Sequence, residues 1–343
     1  IRSSGFITAN GDFLGYLTME DEEKTLAGLI LAEAVAGTVK IECPVCGQRF
    51  DATDIPALSG FLCPVCSSPM IRPLWVDMFR IDSPIVESDG VISQVNAVDQ
   101  SLDRVVTLHI LNPFYASSPE RRRQFADIGR TLAVLNNPSI VTVFNIGSFG
   151  SLPYLVTPDL RGRSLRDCLS QMKIIPLETA CSWVAAIASG LQAAMERGLF
   201  HGELNTANVI IDEMTERPYL IHFGMYELMQ DAGYMNVNVF SAPETARNGT
   251  VNEKSDIYSL GALFYCLLTG SDIPSDEDDG KMTVDNEWIT RMVNDSIADL
   301  ICRMVDPDPG ERPGYPDIIA SVNARLQHIQ YVRENLKKIA AEK

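Results

Sequence analysis

The chain has 343 residues, 46% hydrophobic and 21% charged, enough for two or three domains with a proper core. Its net charge of −17 speaks against nucleic acid or an anionic membrane as a partner, because neutralising phosphate takes clustered Lys and Arg. Part of the acid lies in one run, Asp272 to Asp285, which reads as an exposed loop.

Residues 1–40 form a leader in which Glu20 to Val39 reads as a helix, with Asp21, Glu22 and Glu23 near its start. The apolar stretch Leu26 to Val39 is interrupted by Glu33 and is too short to span a bilayer. With no signal peptide, no membrane contact is expected from this segment. The chain begins at Ile1 without a Met, so a longer protein with an anchor or further domains is one expectation.

Residues 41–72 are a cysteine module. Cys43-Pro-Val-Cys46 and Cys63-Pro-Val-Cys66 stand 16 residues apart. Zn²⁺ takes four ligands at tetrahedral corners, with sulfur about 2.3 Å away. One Cys-x-x-Cys turn supplies two thiolates, and a hairpin of this length brings the second pair to the other side. Gly47 permits a tight turn after the first pair. The module resembles a zinc ribbon, and structural zinc is expected at Cys43, Cys46, Cys63 and Cys66. A redox dithiol is the competing reading. Four Cys ligands leave no open coordination position for catalysis. Many ribbons bind nucleic acid, but this one has few cations (Lys40, Arg49, Arg72), which favours a structural or protein-docking role. Cys168, Cys181, Cys266 and Cys302 lie in apolar contexts and read as buried free thiols, which suits a reducing, cytoplasmic setting.

Residues 75–115 alternate as strands, with turn signals at 88–90 and 101–103. Pro119 to Asn136 reads as a helix that Ser118 caps. Ile140 to Val156 returns to strands. Amphipathic helical segments follow at 178–198, 253–270, 285–305 and 315–341.

Several segments carry a family likeness. Ser255 to Tyr265, followed by Leu267-Leu268-Thr269-Gly270, is similar to a central large-lobe helix; Ala242-Pro243-Glu244 resembles the motif that closes an activation segment; Glu311-Arg312-Pro313 resembles the late motif whose Arg pairs with that Glu. Leu135 to Val141 matches the turn after the small-lobe helix, and His201 to Asp212 the catalytic loop. In this order and spacing the chain resembles the bacterial Ser/Thr (Hanks-type) protein kinases. The resemblance implies an α+β, bilobal fold: a β-rich N-lobe at 76–157, an α-rich C-lobe at 158–326 and a helical tail at 327–343.

The same resemblance exposes departures. The three glycines that cover the phosphates fall on Glu87, Asp89 and Ile92, and two carboxylates there would repel a triphosphate. His109 stands where the family has its phosphate-gripping Lys, and Ile128 where that Lys has its Glu partner; Asp127 is adjacent but faces elsewhere. Glu203 replaces the base Asp, Gly202 the Arg and Asn205 the Lys of the catalytic loop; Asn208, a metal-ligand position, is kept. His222-Phe223-Gly224 replaces Asp-Phe-Gly, and Mg²⁺ prefers a carboxylate to an imidazole. Gln94 and Thr107 stand at the adenine sandwich, and Pro158 removes a hinge donor. Fold positions are kept: His201, Phe223, Gly224, Glu244, Asp256 and Arg312. The segment between Gly224 and Ala242 is short and holds no Ser or Thr before Ser241; Tyr226 and Tyr234 read as packing residues.

From the residues, the expectation is therefore a pseudokinase that is not an enzyme. It uses neither ATP nor Mg²⁺ and acts as a scaffold or regulator on other proteins. Two alternatives stand beside it. One is an atypical enzyme on the same fold, with Glu203 as base and Asn208 with a carboxylate such as Asp89 holding a metal. The other is a ribbon-borne adaptor for nucleic acid.

Overall fold

The computed structural model describes residues 5–7, 13–16, 39–83, 91–230, 237–274, 293 and 295–341. The expected helix over 20–39, Glu87, Asp89, the turn at 88–90, Tyr234 and the acid run beyond 274 lie outside the described residues. The chain divides into two units, residues 1–126 with 143–159, and residues 127–142 with 160–343.

The first unit is built mainly of strands. β1 (Gly5–Ile7) pairs with β2 (Phe13–Tyr16). Two further antiparallel hairpins carry the cysteines: β3 (Lys40–Glu42) with β4 (Arg49–Asp51), and β5 (Gly60–Leu62) with β6 (Pro69–Ile71). Phe50 and Phe61 meet edge to face between the hairpins, ring centroids 5.7 Å apart. A six-stranded sheet follows, from β7 (Leu74–Val76), β8 (Phe79–Ile81), β9 (Ile92–Asp99), β10 (Arg104–Leu111), β11 (Asn145–Phe149) and β12 (Leu152–Pro158), in the order β11-β12-β10-β9-β8-β7. Val95 and Ala97 of β9 alternate with exposed Gln94 and Asn96, the period of a sheet wet on one face. Central β10 buries Val106, Leu108 and Ile110 and is flanked by β9 and β12. Helix α1 (Pro113–Ala116) is capped by the Asn112 side chain, which accepts from Phe114 N–H.

Helix α2 (Pro119–Ala133) opens with Pro119 after Ser118, whose hydroxyl accepts from Arg121 N–H at 3.4 Å. Its last residues belong to the second unit, which is mainly helical. A small sheet, β13 (Gly162–Ser164), β14 (Val209–Asp212) and β15 (Pro218–Leu220), accompanies α3 (Leu165–Met172), α4 (Leu177–Met195), α5 (Met225–Gln230) and α6 (Pro243–Asn248). Then come α7 (Glu253–Thr269), α8 (Asp295–Met304) and α9 (Tyr315–Ala341). Helix α7 is buried from Ser255 to Leu268. An all-round apolar helix of this kind is a core helix. Asn252 and Ser255 form a capping box at its start, and Gly270 ends it in the left-handed region. Helix α9 packs along α4 and buries Tyr315, Ile318 and Val322 at its N-terminal end. Of the expected helix over 285–305, the described part is Asp295–Met304. No helix of the described residues is long and apolar enough to cross a membrane.

Candidate functional site

The four module cysteines converge: their sulfur atoms all lie within 4.8 Å of one another, with Cys43–Cys66 at 3.6 Å and Cys46–Cys63 at 3.7 Å. Tetrahedral corners about 2.3 Å from a zinc ion are roughly 3.8 Å apart, so this group could hold such an ion. The Ser68 hydroxyl lies 3.3 Å from Cys43 Sγ and 3.0 Å from Cys66 Sγ, and it is the first cause holding both thiols below their ordinary pKa. Cys168, Cys181 and Cys266 are buried and unbridged, while Cys302 is half-buried.

The segment between α4 and β14, which resembles a catalytic loop, is fixed by α7. Asp256 Oδ2 accepts from His201 N–H at 2.7 Å, and Oδ1 accepts from Gly202 N–H at 2.8 Å. Burial pushes Asp256 up to about 6, against the pull of those two donors. The His201 ring is fully buried against Phe223, centroids 4.8 Å apart, and burial lowers its pKa to about 3. It is therefore a neutral packing group at pH 7.

Above this base, the Glu203 carbonyl accepts from Asn205 Nδ2 at 3.1 Å and from Asn208 Nδ2 at 2.8 Å. Asn208 Oδ1 then faces His222 Nδ1 at 3.1 Å. Because the amide nitrogen is spent on Glu203, the ring donates through Nδ1. Burial lowers His222 to about 4, so its imidazole is neutral at pH 7. His222 has φ 65°, in the left-handed region that Asn, Asp and His enter more readily than other side chains. Gly224 has φ 71°, and a Cβ there would come within 3.0 Å of Ile128 Cδ1 and 3.2 Å of Leu199 Cδ1. Ile128 is thus a buried apolar residue packed on this glycine, whereas Asp127 is exposed and pairs with Arg130.

In the first unit, His109 lies on β10 opposite Gln94 and Leu155, and its Nε2 is 2.8 Å from Thr157 Oγ1. Ile92 opens β9 and is buried, Thr107 is buried and Gln94 is exposed. Pro158 ends β12 opposite Val106. In the second unit, Arg312 is bidentate to Glu244, Nη1 to Oε1 at 2.6 Å and Nη2 to Oε2 at 3.0 Å. Arg312 also donates to the carbonyls of Lys254 and Asp306, both at 2.8 Å, and its guanidinium lies 5.0 Å from the Tyr258 ring centre.

Three contacts escaped the sequence reading: Ser68 on the sulfurs, Ile128 on Gly224, and the Tyr154 hydroxyl donating to Asp77. The first had a signal, since Ser68 follows the second Cys pair where Gln48 follows the first. Mg²⁺ as the family holds it does not fit these donors. A neutral imidazole donating to Asn208 stands where the hard cation needs carboxylate oxygen.

Comparison with known proteins identifies the fold. The family model described as "Protein kinase domain" matches residues 89–322, so the chain belongs to the protein kinase family. It is 30% identical over 254 residues to the serine/threonine-protein kinase PknL of Mycobacterium tuberculosis, covering 70% of this chain and 59% of that protein. It is 32% identical over 193 residues to PknB of Mycobacterium leprae, covering 53% of this chain and 31% of PknB. The chain thus spans less than two thirds of the length of these relatives. The crystal structure of the M. tuberculosis PknI kinase domain superposes with a TM-score of 0.59 at 19% identity, over 73% of this chain and 97% of that one. The α+β fold is that of a protein kinase, with a β-rich first lobe and a helical second.

These findings correct one expectation. The sequence was read as that of a non-enzyme, yet its family is that of protein kinases and its curated relatives are named as serine/threonine-protein kinases. The exchanged residues at His109, Ile128 and His222 are departures within an enzyme family. They cannot stand as grounds for setting the chain outside it.

Proposed function

We propose that this chain is an atypical Ser/Thr protein kinase, in which several phosphate-handling side chains are exchanged while the loop that presents them is kept. One observation carries the reading. Glu203 supplies a carboxylate at the position of the family's base, and its own carbonyl is clasped by Asn205 and Asn208, the latter paired with His222. Those bonds fix the main chain that carries the carboxylate, which suits a base that accepts the proton of an attacking hydroxyl. The names of the relatives support Ser and Thr as acceptors. The test is phosphate transfer from labelled ATP to a generic protein acceptor, compared with Glu203→Gln. Transfer that the variant loses is expected, and transfer equal in both would refute the assignment of Glu203.

The four cysteines are read as a structural zinc site, supported by their sulfur spacing and by their number, which fills a tetrahedron. One equivalent of zinc is expected by elemental analysis, and none after Cys63→Ser with Cys66→Ser. Free buried thiols suit a reducing, cytoplasmic setting.

A second reading, action through contact with other proteins, is favoured by Leu62, Ile71 and Trp75. These apolar side chains are exposed and line one groove of ≈ 960 Å³ beside the cysteine hairpins. Cells carrying Leu62→Ser with Trp75→Ser should then behave like cells lacking the protein. Unchanged behaviour would dismiss this reading.

A further inference from the structure

The two cysteine knuckles are near copies of one another. Cys43 N–H donates to the Gln48 carbonyl and Cys63 N–H to the Ser68 carbonyl, both at 2.9 Å. Gly47 N–H donates to the Cys43 carbonyl and Ser67 N–H to the Cys63 carbonyl, again at 2.9 Å. Gly47 and Ser67 occupy the same left-handed turn position, φ 71° and 58°. Gln48 and Ser68 are therefore equivalent places in a repeated frame.

Their side chains differ in what they do. Gln48 turns away and donates through Nε2 to the Arg49 carbonyl at 2.9 Å. Ser68 Oγ points inward, 3.0 Å from Cys66 Sγ in its own knuckle and 3.3 Å from Cys43 Sγ in the other. Cys43 is only 1% exposed, so water does little to solvate its sulfur. Four thiolates around one Zn²⁺ leave a net charge of about −2, which a hydroxyl donor disperses.

We propose that Ser68 is a positioning residue of the metal site, whose hydroxyl bridges one sulfur from each knuckle and sets how tightly zinc is held. The inference rests on the zinc reading above. Groups of this kind that hydrogen-bond metal ligands are worth about 10–100-fold in affinity.

The test uses the full chain, reduced and metal-free, titrated with Co²⁺ to read thiolate coordination by absorption. Zinc affinity is then measured by competition with a chromophoric chelator. Ser68→Ala should weaken zinc by about 10–100-fold while keeping the tetrahedral Co²⁺ spectrum. Ser68→Thr should restore affinity, and Gln48→Ala should leave it unchanged. Gln48→Ser, which places a hydroxyl at the equivalent point beside Cys46 and Cys63, should tighten it. If the parent binds metal and Ser68→Ala holds zinc equally well, the role of Ser68 is refuted and the zinc reading stands. If the parent gives no cobalt-thiolate spectrum, both fall together.

Discussion

Asn208 Oδ1 stands 3.1 Å from His222 Nδ1, while the amide nitrogen of Asn208 is 2.8 Å from the Glu203 carbonyl. That chain of two bonds fixes which ring nitrogen of His222 carries the proton. With burial holding the ring neutral, its ¹⁵N spectrum at pH 7 should be that of the Nδ1–H tautomer, with protonation only near pH 4. An Nε2–H spectrum, or titration near 6.5, would contradict the geometry.

Acid should weaken the second unit through its two buried histidines. His201 and His222 have folded pKa values lowered to about 3 and about 4 from 6.5, so the unfolded chain binds protons first. Their contribution is complete above pH 6.5 and is lost as pH falls toward 4 and then 3. At pH 5 the loss is about 2 kcal/mol for each. Asp256, raised to about 6, works in the opposite sense and offsets part of it. Denaturant unfolding at pH 7 and pH 5 should show a loss smaller by about 2 kcal/mol in His222→Asn than in the parent. Equal losses would place His222 in contact with solvent.

The Glu244–Arg312 pair is a second test. The Arg312 side chain is 0% exposed and that of Glu244 14% exposed. Removing one partner of a buried pair strands the other charge and costs about 3–5 kcal/mol. Arg312→Ala should lower stability by that amount in denaturant unfolding. A loss below about 1 kcal/mol, the usual worth of an exposed pair, would be at odds with the bonding seen here.

Zinc removal should act locally. Hairpins β3–β4 and β5–β6 have short strands and a small core of Ile41, Ala52, Ala57, Cys43 and Cys63 beside the Phe50–Phe61 contact, so the metal supplies much of their folding energy. Helix α7 is capped at both ends and buried within the second unit. After chelation, hydrogen exchange should lose protection over residues 40–71 and keep it over 253–269. Loss of protection in α7 would reveal a coupling that this account lacks.

Much of the fold was legible because it is written in local patterns. The repeated Cys-Pro-Val-Cys announces its own geometry, and the run from Asn252 to Gly270 carries cap, core and stop signals in one stretch. Asn208 and His222 could be placed on neighbouring segments by resemblance. Their hydrogen bond and tautomer could not, because those depend on where β14 and β15 set the two side chains. Ile128 was read only as a residue unable to form an ion pair. Its packing on Gly224 needs α2 in place beside the left-handed turn at 222–224. Helix ends were the loosest part: α2 stops at Ala133, three residues before Asn136, where Leu135 N–H turns to the Leu132 carbonyl. The weightiest misreading was functional. Exchanged side chains were taken to mean no enzyme, although the retained loop was noted; the protein kinase family and relatives named as serine/threonine-protein kinases overturn that step.

The most direct test is phosphate transfer measured side by side for the parent, Glu203→Gln and His222→Asp, with Mg²⁺ supplied. Asp tolerates the left-handed backbone at 222 and offers the oxygen that a hard cation prefers. The parent should transfer phosphate slowly, Glu203→Gln not at all, and His222→Asp faster when Mg²⁺ is present. No transfer by either the parent or His222→Asp would contradict the kinase reading.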